Sequence, residues 1–398
     1  MRLVQWLIVG AFAASSLAPR AQTGLDEITT LLLKQDYVAL EKSFGVAQQR
    51  FERGELTEYE LRQAFEPFEA LREVQALENL RAWAAQSPRS YVAHLALGLN
   101  YRAQGSAARG TQSWDKTAPD QRDGLVRNFT LAEPELRTSI PLTAKPYLSL
   151  LNMIAIAGNV QNRPFLNASL LLANEALPGN QLARLNYARY LLPRWGGSYD
   201  KLDAFIAISR AQGVAEATLL KLQALALNDR GQVQLSAHDE VGAEARFREA
   251  LQLARQSGDD GSFRAAYLAA SVKRVCQNAT AEPACQLTAP GSAAAEPSTT
   301  TAFSGPLGGD VEHAIVIPTA DGFEGVRTEY AWLALRYPAA RRTAQALIAG
   351  AGRQYDRLSV TTADGQDLTL YFDITAFSAG FLQPRPPAKA EELQPGRT

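Results

Sequence analysis

The chain has 398 residues, 46% of them hydrophobic and 20% charged, with 28 Gly and 20 Pro. That composition excludes collagen, global disorder and a disulfide-dense miniature scaffold, and the length allows two or three domains with their own cores. Lys and Arg number 40 against 41 Asp and Glu, a formal charge of −1, which argues against a dedicated nucleic-acid binder with a basic face.

The chain opens MRLVQWLIVGAFAASSLAPRAQ. One basic residue, Arg2, precedes an apolar run from Leu3 to Ala14, and small residues follow. This is the layout of a secretory signal peptide over residues 1–21. Cleavage is expected after Ala21, with Ala18 as the alternative. The run is shorter than the roughly 20 residues that a membrane-spanning helix needs, so no transmembrane anchor is expected. The mature chain is then exported, periplasmic or secreted.

From about Leu25 to residue 286 the pattern is helical. Val92, Leu95, Ala96 and Leu99 form one apolar stripe in a helix over 88–104 that Pro88 opens and Gly105 closes. The spacing also predicts helices over 244–255 and 263–272. Internal similarity accompanies the periodicity. Nine residues after Pro88 stands Leu97-Gly98, followed by Tyr101. Nine residues after Pro178 stands Tyr187-Ala188, followed by Leu191. A more degenerate passage covers AEARFREALQLARQSGD. The fold class is therefore mainly α, a tetratricopeptide-like array of helix hairpins over 25–286.

Within it stand Leu192-Pro193-Arg194-Trp195-Gly196-Gly197-Ser198, the S-x-x-A-H-L-A-L-G-x-x-Y segment at 90–101, and Ala108-Arg109-Gly110. On these residues the chain resembles a bacterial domain-of-unknown-function family of tetratricopeptide-like helical proteins with a P-R-W-G-G-S signature. The resemblance covers roughly residues 30–275. It implies a helical fold and a bacterial source, and it brings no activity.

Cys276 and Cys285 are the only cysteines. In an exported protein, two cysteines this close in a loop are expected to pair as a structural disulfide. Residues 287–309, rich in Pro, Ser, Thr and Ala, read as a flexible linker. A small α+β domain over 310–382 follows, in the order β-α-β-β-β. Its strands are predicted at 314–317, 342–349, 355–362 and 367–374, with a helix over 324–336 on an antiparallel sheet. Ala363-Asp364-Gly365-Gln366 makes the last hairpin turn. Residues 383–398 read as a disordered tail.

The search for chemistry returns little. His94, His238 and His313 lie in separate segments without metal-ligand spacing, so neither a metal nor a cofactor is expected. No nucleophile elbow, phosphate loop or dinucleotide fingerprint is present. Glu41, Glu52, Glu58, Glu60, Glu66 and Glu69 read as a solvated helical face, and no catalytic residue is assigned. The P-R-W-G-G-S cluster has a structural reading. Gly196-Gly197 permit a tight turn, Ser198 caps the next helix, Trp195 fills a joint and Arg194 bonds the preceding helix's carbonyls. Its binding reading puts Arg194 and Trp195 in a ligand groove with Tyr91, Tyr101, Tyr187 and Tyr190. The expected function is a non-enzymatic interaction or scaffold protein of the bacterial envelope with a protein or peptide partner, the α+β unit being a second module on a tether. The alternatives are an envelope glycan- or peptide-acting hydrolase using a carboxylate pair, and an inhibitor or immunity-type protein. The last rests on a faint cystatin-like likeness at Gln345–Gly350.

Overall fold

The computed structural model describes residues 19–258 and 308–378, apart from 111, 113 and 351, with side chains from residue 24 onward. The body of the expected signal peptide, the helix expected at 263–272, Cys276 and Cys285, nearly all of the linker and the tail lie outside the described residues.

The described chain is mainly helical, with a small four-stranded sheet near its C-terminal end. Among the described residues, twelve α-helices precede the sheet unit. They are α1 (Pro19–Leu33), α2 (Tyr37–Glu52), α3 (Glu58–Ala70), α4 (Val74–Gln86), α5 (Tyr91–Arg109) and α6 (Pro119–Ser139), then α7 (Tyr147–Asn159), α8 (Arg163–Ala176), α9 (Leu182–Leu191), α10 (Tyr199–Ala211), α11 (Glu216–Ser236) and α12 (Glu240–Gln256). Consecutive helices pack most extensively in the pairs α5–α6, α7–α8 and α11–α12. Among the described residues, no helix is long and apolar enough to cross a membrane.

Local chemistry sets the helix ends. Ser90 caps α5 by accepting from the Ala93 amide at 2.9 Å, an interaction typically worth about 1 kcal/mol. Thr57 and Glu60 form a reciprocal capping box on α3. The core of the first four helices is aromatic, with Phe44, Phe65, Phe68 and Trp83 in tilted contact. Gly105 does not close α5, as its type suggests it should. The helix runs on to Arg109 and ends at Gly110, whose φ is +70°. Gly105 is buried instead against α6, where a Cβ would stand 2.7 Å from the Phe129 ring. Close approach of the two helices, not chain reversal, is its use.

The C-terminal unit has β1 (Ile315–Val316), α13 (Gly322–Arg336), β2 (Arg341–Gly350), β3 (Arg353–Thr361), β4 (Asp367–Asp373) and the short α14 (Thr375–Ser378). The strand order is β1-β4-β3-β2. The sheet is mixed, not wholly antiparallel, because β1 pairs with β4 in parallel, Ile315 opposite Phe372. Gln345–Gly350 is not a loop. It lies within β2 and pairs with Arg353–Leu358 of β3.

The unit is not joined to the helical region by the chain alone, because α13 packs along α8. Asn167 donates to Glu324 at 2.8 Å and to Thr328 at 3.3 Å, and accepts from the Tyr187 hydroxyl at 2.9 Å. Arg336 pairs with Glu175 at 3.3 Å. Asn167 is 1% exposed, so from within α8 its amide satisfies polar groups on α9 and α13 at once.

Candidate functional site

Glycine geometry builds the P-R-W-G-G-S turn. After α9, residues Pro193–Trp195 form a single 3-10 turn, and Gly196 takes a left-handed φ of +76°. That conformation is available to glycine without the Cβ penalty. At Gly197 a Cβ would stand 1.9 Å from the Leu191 carbonyl oxygen, so the backbone passes where no side chain fits. Ser198 then caps α10, accepting from the Lys201 amide at 3.2 Å, with Asp200 in the first turn.

Arg163 at the start of α8 fixes the turn from beneath. It donates to the Tyr190 carbonyl at 2.7 Å and to the Trp195 carbonyl at 2.8 Å. This is the carbonyl-binding role that the sequence suggests for Arg194. Arg194 turns instead to Asp229, a carboxylate only 2% exposed, which also accepts from the Tyr199 hydroxyl at 2.8 Å. Arg230 lies over the Tyr199 ring, 4.5 Å from its centroid, and pairs with Asp203 at 3.2 Å. Tyr199, Arg230, Val233, Gln234 and Arg246 line an open pocket beside this network.

Trp195 is half-buried. Its indole meets the Tyr190 ring edge-on, with centroids 5.1 Å apart and planes at 78°. Two guanidinium groups lie over the indole, Arg189 at 5.3 Å and Arg109 at 6.0 Å from its centroid. The cation-plus-aromatic pairing expected at this turn is therefore present, but Arg109 and Arg189 supply the cations. Arg109 belongs to the Ala108-Arg109-Gly110 segment, so two passages that carry the sequence resemblance meet in space. Neither arginine forms an ion pair among the described residues, and the Arg109 Nε is buried without a hydrogen-bond acceptor. Burial, and then the Arg189 charge, hold the Arg109 guanidinium below its ordinary range. Elsewhere, Arg102 pairs with Glu69, Arg137 with Glu133 at 2.9 Å and Arg336 with Glu175.

The four candidate tyrosines are all packed between helices. Tyr190 is 3% exposed, with its hydroxyl held between the Asn159 amide at 2.8 Å and the Ala155 carbonyl at 3.2 Å. Tyr187 is 1% exposed, packs on Phe205 and bonds Asn167. Tyr101 is buried with its hydroxyl accepting from Arg81 at 3.0 Å. Tyr91 is buried in the core beside Ser149, and burial pushes its phenol up. These rings are interior surfaces of the helix pairs, and Trp195 is the member of the set that reaches the outside.

Of the glutamates read as a solvated face, Glu60 is exposed and caps its own helix, while Glu41, Glu52, Glu58 and Glu69 bond to other elements. Glu58 is buried and accepts from the Tyr147 hydroxyl and from the Gln181 and Leu182 amides at 2.7 and 3.1 Å. It thus caps α9 from a distance of more than 120 residues, supplying the acceptor that Gln181 does not. Burial raises its carboxyl, against the pull of those donors and of Lys221. Glu52 accepts from Thr143 and Gln48, and Glu41 accepts from the Trp83 indole at 3.1 Å.

A carboxylate pair does exist, at Glu329 on α13 and Asp356 on β3. Glu329 is fully buried and Asp356 is 6% exposed. Burial, then the neighbouring Asp356 charge, push the Glu329 carboxyl up to about 9. Gln345 donates to Asp356 from β2. The pair sits between helix and sheet, and neither Glu329 oxygen meets a hydrogen-bond partner among the described residues. His94 is buried in α5 with Nδ1 2.6 Å from Glu135. Among the described residues, no group of three or more His, Cys, Asp or Glu is placed to hold a metal.

Comparison of the chain with protein-family models, with curated proteins and with solved structures returns no match.

Proposed function

We propose that the chain is an exported, non-enzymatic interaction protein of the bacterial envelope, periplasmic or secreted, whose tetratricopeptide-like helices hold a partner at the Trp195 turn. One observation carries this reading. An indole at the surface of the helical region is flanked by two guanidinium groups that no carboxylate of the described chain neutralises. Cation and aromatic groups in this arrangement are common anchors of protein interfaces. By contrast, the buried acids Glu58 and Asp229 are consumed by hydrogen bonds within the fold, as a framework requires.

The membership suggested by the P-R-W-G-G-S signature belongs with this reading, since its segments build the same surface. The test is to crosslink the tagged chain in its native envelope, recover it and identify what accompanies it. A dominant protein partner, lost on replacing Trp195 by alanine in a chain with unchanged thermal stability, is the expected result. A clean bait, or a partner indifferent to Trp195, would overturn the proposal.

A further inference from the structure

We infer that the Trp195 turn recognises an acidic peptide segment, whose carboxylate is held by Arg109 and Arg189 beside the indole. This rests on the interaction reading above and gives the partner its chemistry.

Arg109 ends α5 and Arg189 lies in the last turn of α9, two helix C-termini at which a cation is favoured. The dipoles account for a cation at each end, but not for bringing both onto one ring. Their guanidinium carbons lie 6.0 and 5.3 Å from the same indole centroid. Like charges gathered on one ring repel, the Arg189 charge is felt at Arg109, and a partly buried setting screens it less than water does. Arg102, on α5 itself, and Arg137, on the neighbouring α6, have carboxylate partners within the fold. Arg109 and Arg189 have none among the described residues.

The second observation is the orphaned donor. Among the described residues the Arg109 Nε is buried without an acceptor, as are those of Arg102, Arg122 and Arg184, and the Arg109 Nη1 donates to the Gly110 carbonyl at 3.4 Å. The enclosed Nε is left to the fold, and the outer donors of the half-buried guanidinium are the ones that an incoming oxyanion meets. The guanidinium fork matches the two oxygens of a carboxylate.

The third observation is rigidity. Arg163 ties down the carbonyls of Tyr190 and Trp195, and Gly158 lies flush on the Tyr190 ring, where a Cβ would stand 2.4 Å away. The indole and the adjoining Arg189 therefore project from a fixed base, which lowers the ordering cost of binding. The half-buried indole adds an apolar surface for the stem of a Glu side chain or for its neighbour in the peptide. Charge complementarity plus an apolar stem favours an acidic peptide over a small inorganic anion.

The test uses the purified full-length chain and three probes at equal ionic strength, namely a blocked hexaglutamate peptide, the matching hexaglutamine peptide and inorganic phosphate. Arginines are labelled with phenylglyoxal, and the modified positions are mapped by mass spectrometry. Hexaglutamate is expected to protect Arg109 and Arg189 while leaving the exposed Arg53 and Arg210 labelled, and hexaglutamine is expected to protect none. Equal protection by phosphate, or no protection by hexaglutamate, would overturn the inference.

Titration calorimetry then compares wild type with R109Q/R189Q and with R53Q/R210Q, which removes the same charge elsewhere. The first variant is expected to bind hexaglutamate about tenfold or more weakly, and the second unchanged. Should R109Q/R189Q fail to fold, R109K/R189K keeps the charges and loses the forks, and a loss of about threefold or more is expected of it. Equal loss in R53Q/R210Q would reduce the effect to net charge and overturn the inference. The two proposals fail separately. A partner crosslinked in the envelope and retained by R109Q/R189Q leaves the scaffold reading standing and removes the acidic segment. Protection by hexaglutamate with no envelope partner does the reverse.

Discussion

Replacing Glu329 by glutamine is expected to stabilise the protein at neutral and alkaline pH and to leave it nearly unchanged at pH 5. In the fold, Glu329 is fully buried between α13 and β3, facing Asp356, and its carboxyl is pushed from 4.5 up to about 9. Folding therefore takes up a proton. A carboxyl raised in this way contributes stability that is complete below about pH 4.5, declines as pH rises, and is gone once pH passes about 9. Each unit within that window is worth about 1.4 kcal/mol, so by pH 7 the loss is on the order of 3 kcal/mol. Glutamine keeps the shape and the neutral state, with an amide able to donate to Asp356, and it does not titrate. Urea unfolding at pH 5, 7 and 8.5 measures the difference. Trp332, edge-on to Phe372 in the same core, supplies a local fluorescence signal, and amide exchange of β3 gives a second probe. Wild type should lose stability across this series while E329Q stays flatter and crosses above it. A variant less stable than wild type at every pH, or a wild-type profile no steeper than that of E329Q, would refute the account of Glu329 as a carboxyl kept protonated by burial.

Gly197→Ala should lower the melting temperature by several degrees and broaden the Trp195 emission, because its Cβ would stand 1.9 Å from the Leu191 carbonyl oxygen; an unchanged thermal scan would count against the turn geometry. Glu58→Ala leaves the Gln181 and Leu182 amides and the Tyr147 hydroxyl without their acceptor, which should cost about 3 kcal/mol in chemical denaturation; a loss below about 0.5 kcal/mol would mean that this carboxylate does not cap α9. Asn167→Ala removes the bonds to Glu324, Thr328 and Tyr187, so amide exchange should quicken in 322–336 by about tenfold while α5 and α6 are unaffected. Uniform change across the chain would place the role of Asn167 elsewhere.

Periodicity exposed the helices well because their apolar stripes are local patterns. Val92, Leu95, Ala96 and Leu99 all enter the core, and the hairpin between β3 and β4 followed from its turn residues. Gly105 misled because residue type signals a helix end equally well whether the glycine ends a helix or lets another helix approach. The parallel pairing of β1 had no local signal, since a two-residue strand finds its partner more than fifty positions later. The acids misled for a similar reason. Glu58 stands in a stretch as charged as any surface helix, and its burial depends on amides supplied by another helix. At the Trp195 turn the sequence reveals the glycines, the cap and the aromatic. It does not reveal that Arg194 faces Asp229, or that Arg109 arrives from α5. Such pairings are set by how helices stack, and no spacing along the chain encodes them.

The seating of α13 on α8 changes what the peptide bonds between residues 258 and 308 are needed for. Asn167 and Glu324 stand 157 positions apart and still share a hydrogen bond, and Arg336 reaches Glu175 across the same seam. A single backbone cut between residues 258 and 308 would sever the polypeptide and break none of these bonds. The two pieces are then natural halves of a split protein, each carrying part of one buried surface. Reassembly from separately made fragments would report on that surface alone. The same division offers a place to insert a reporter without touching α5, α9 or the turn they support.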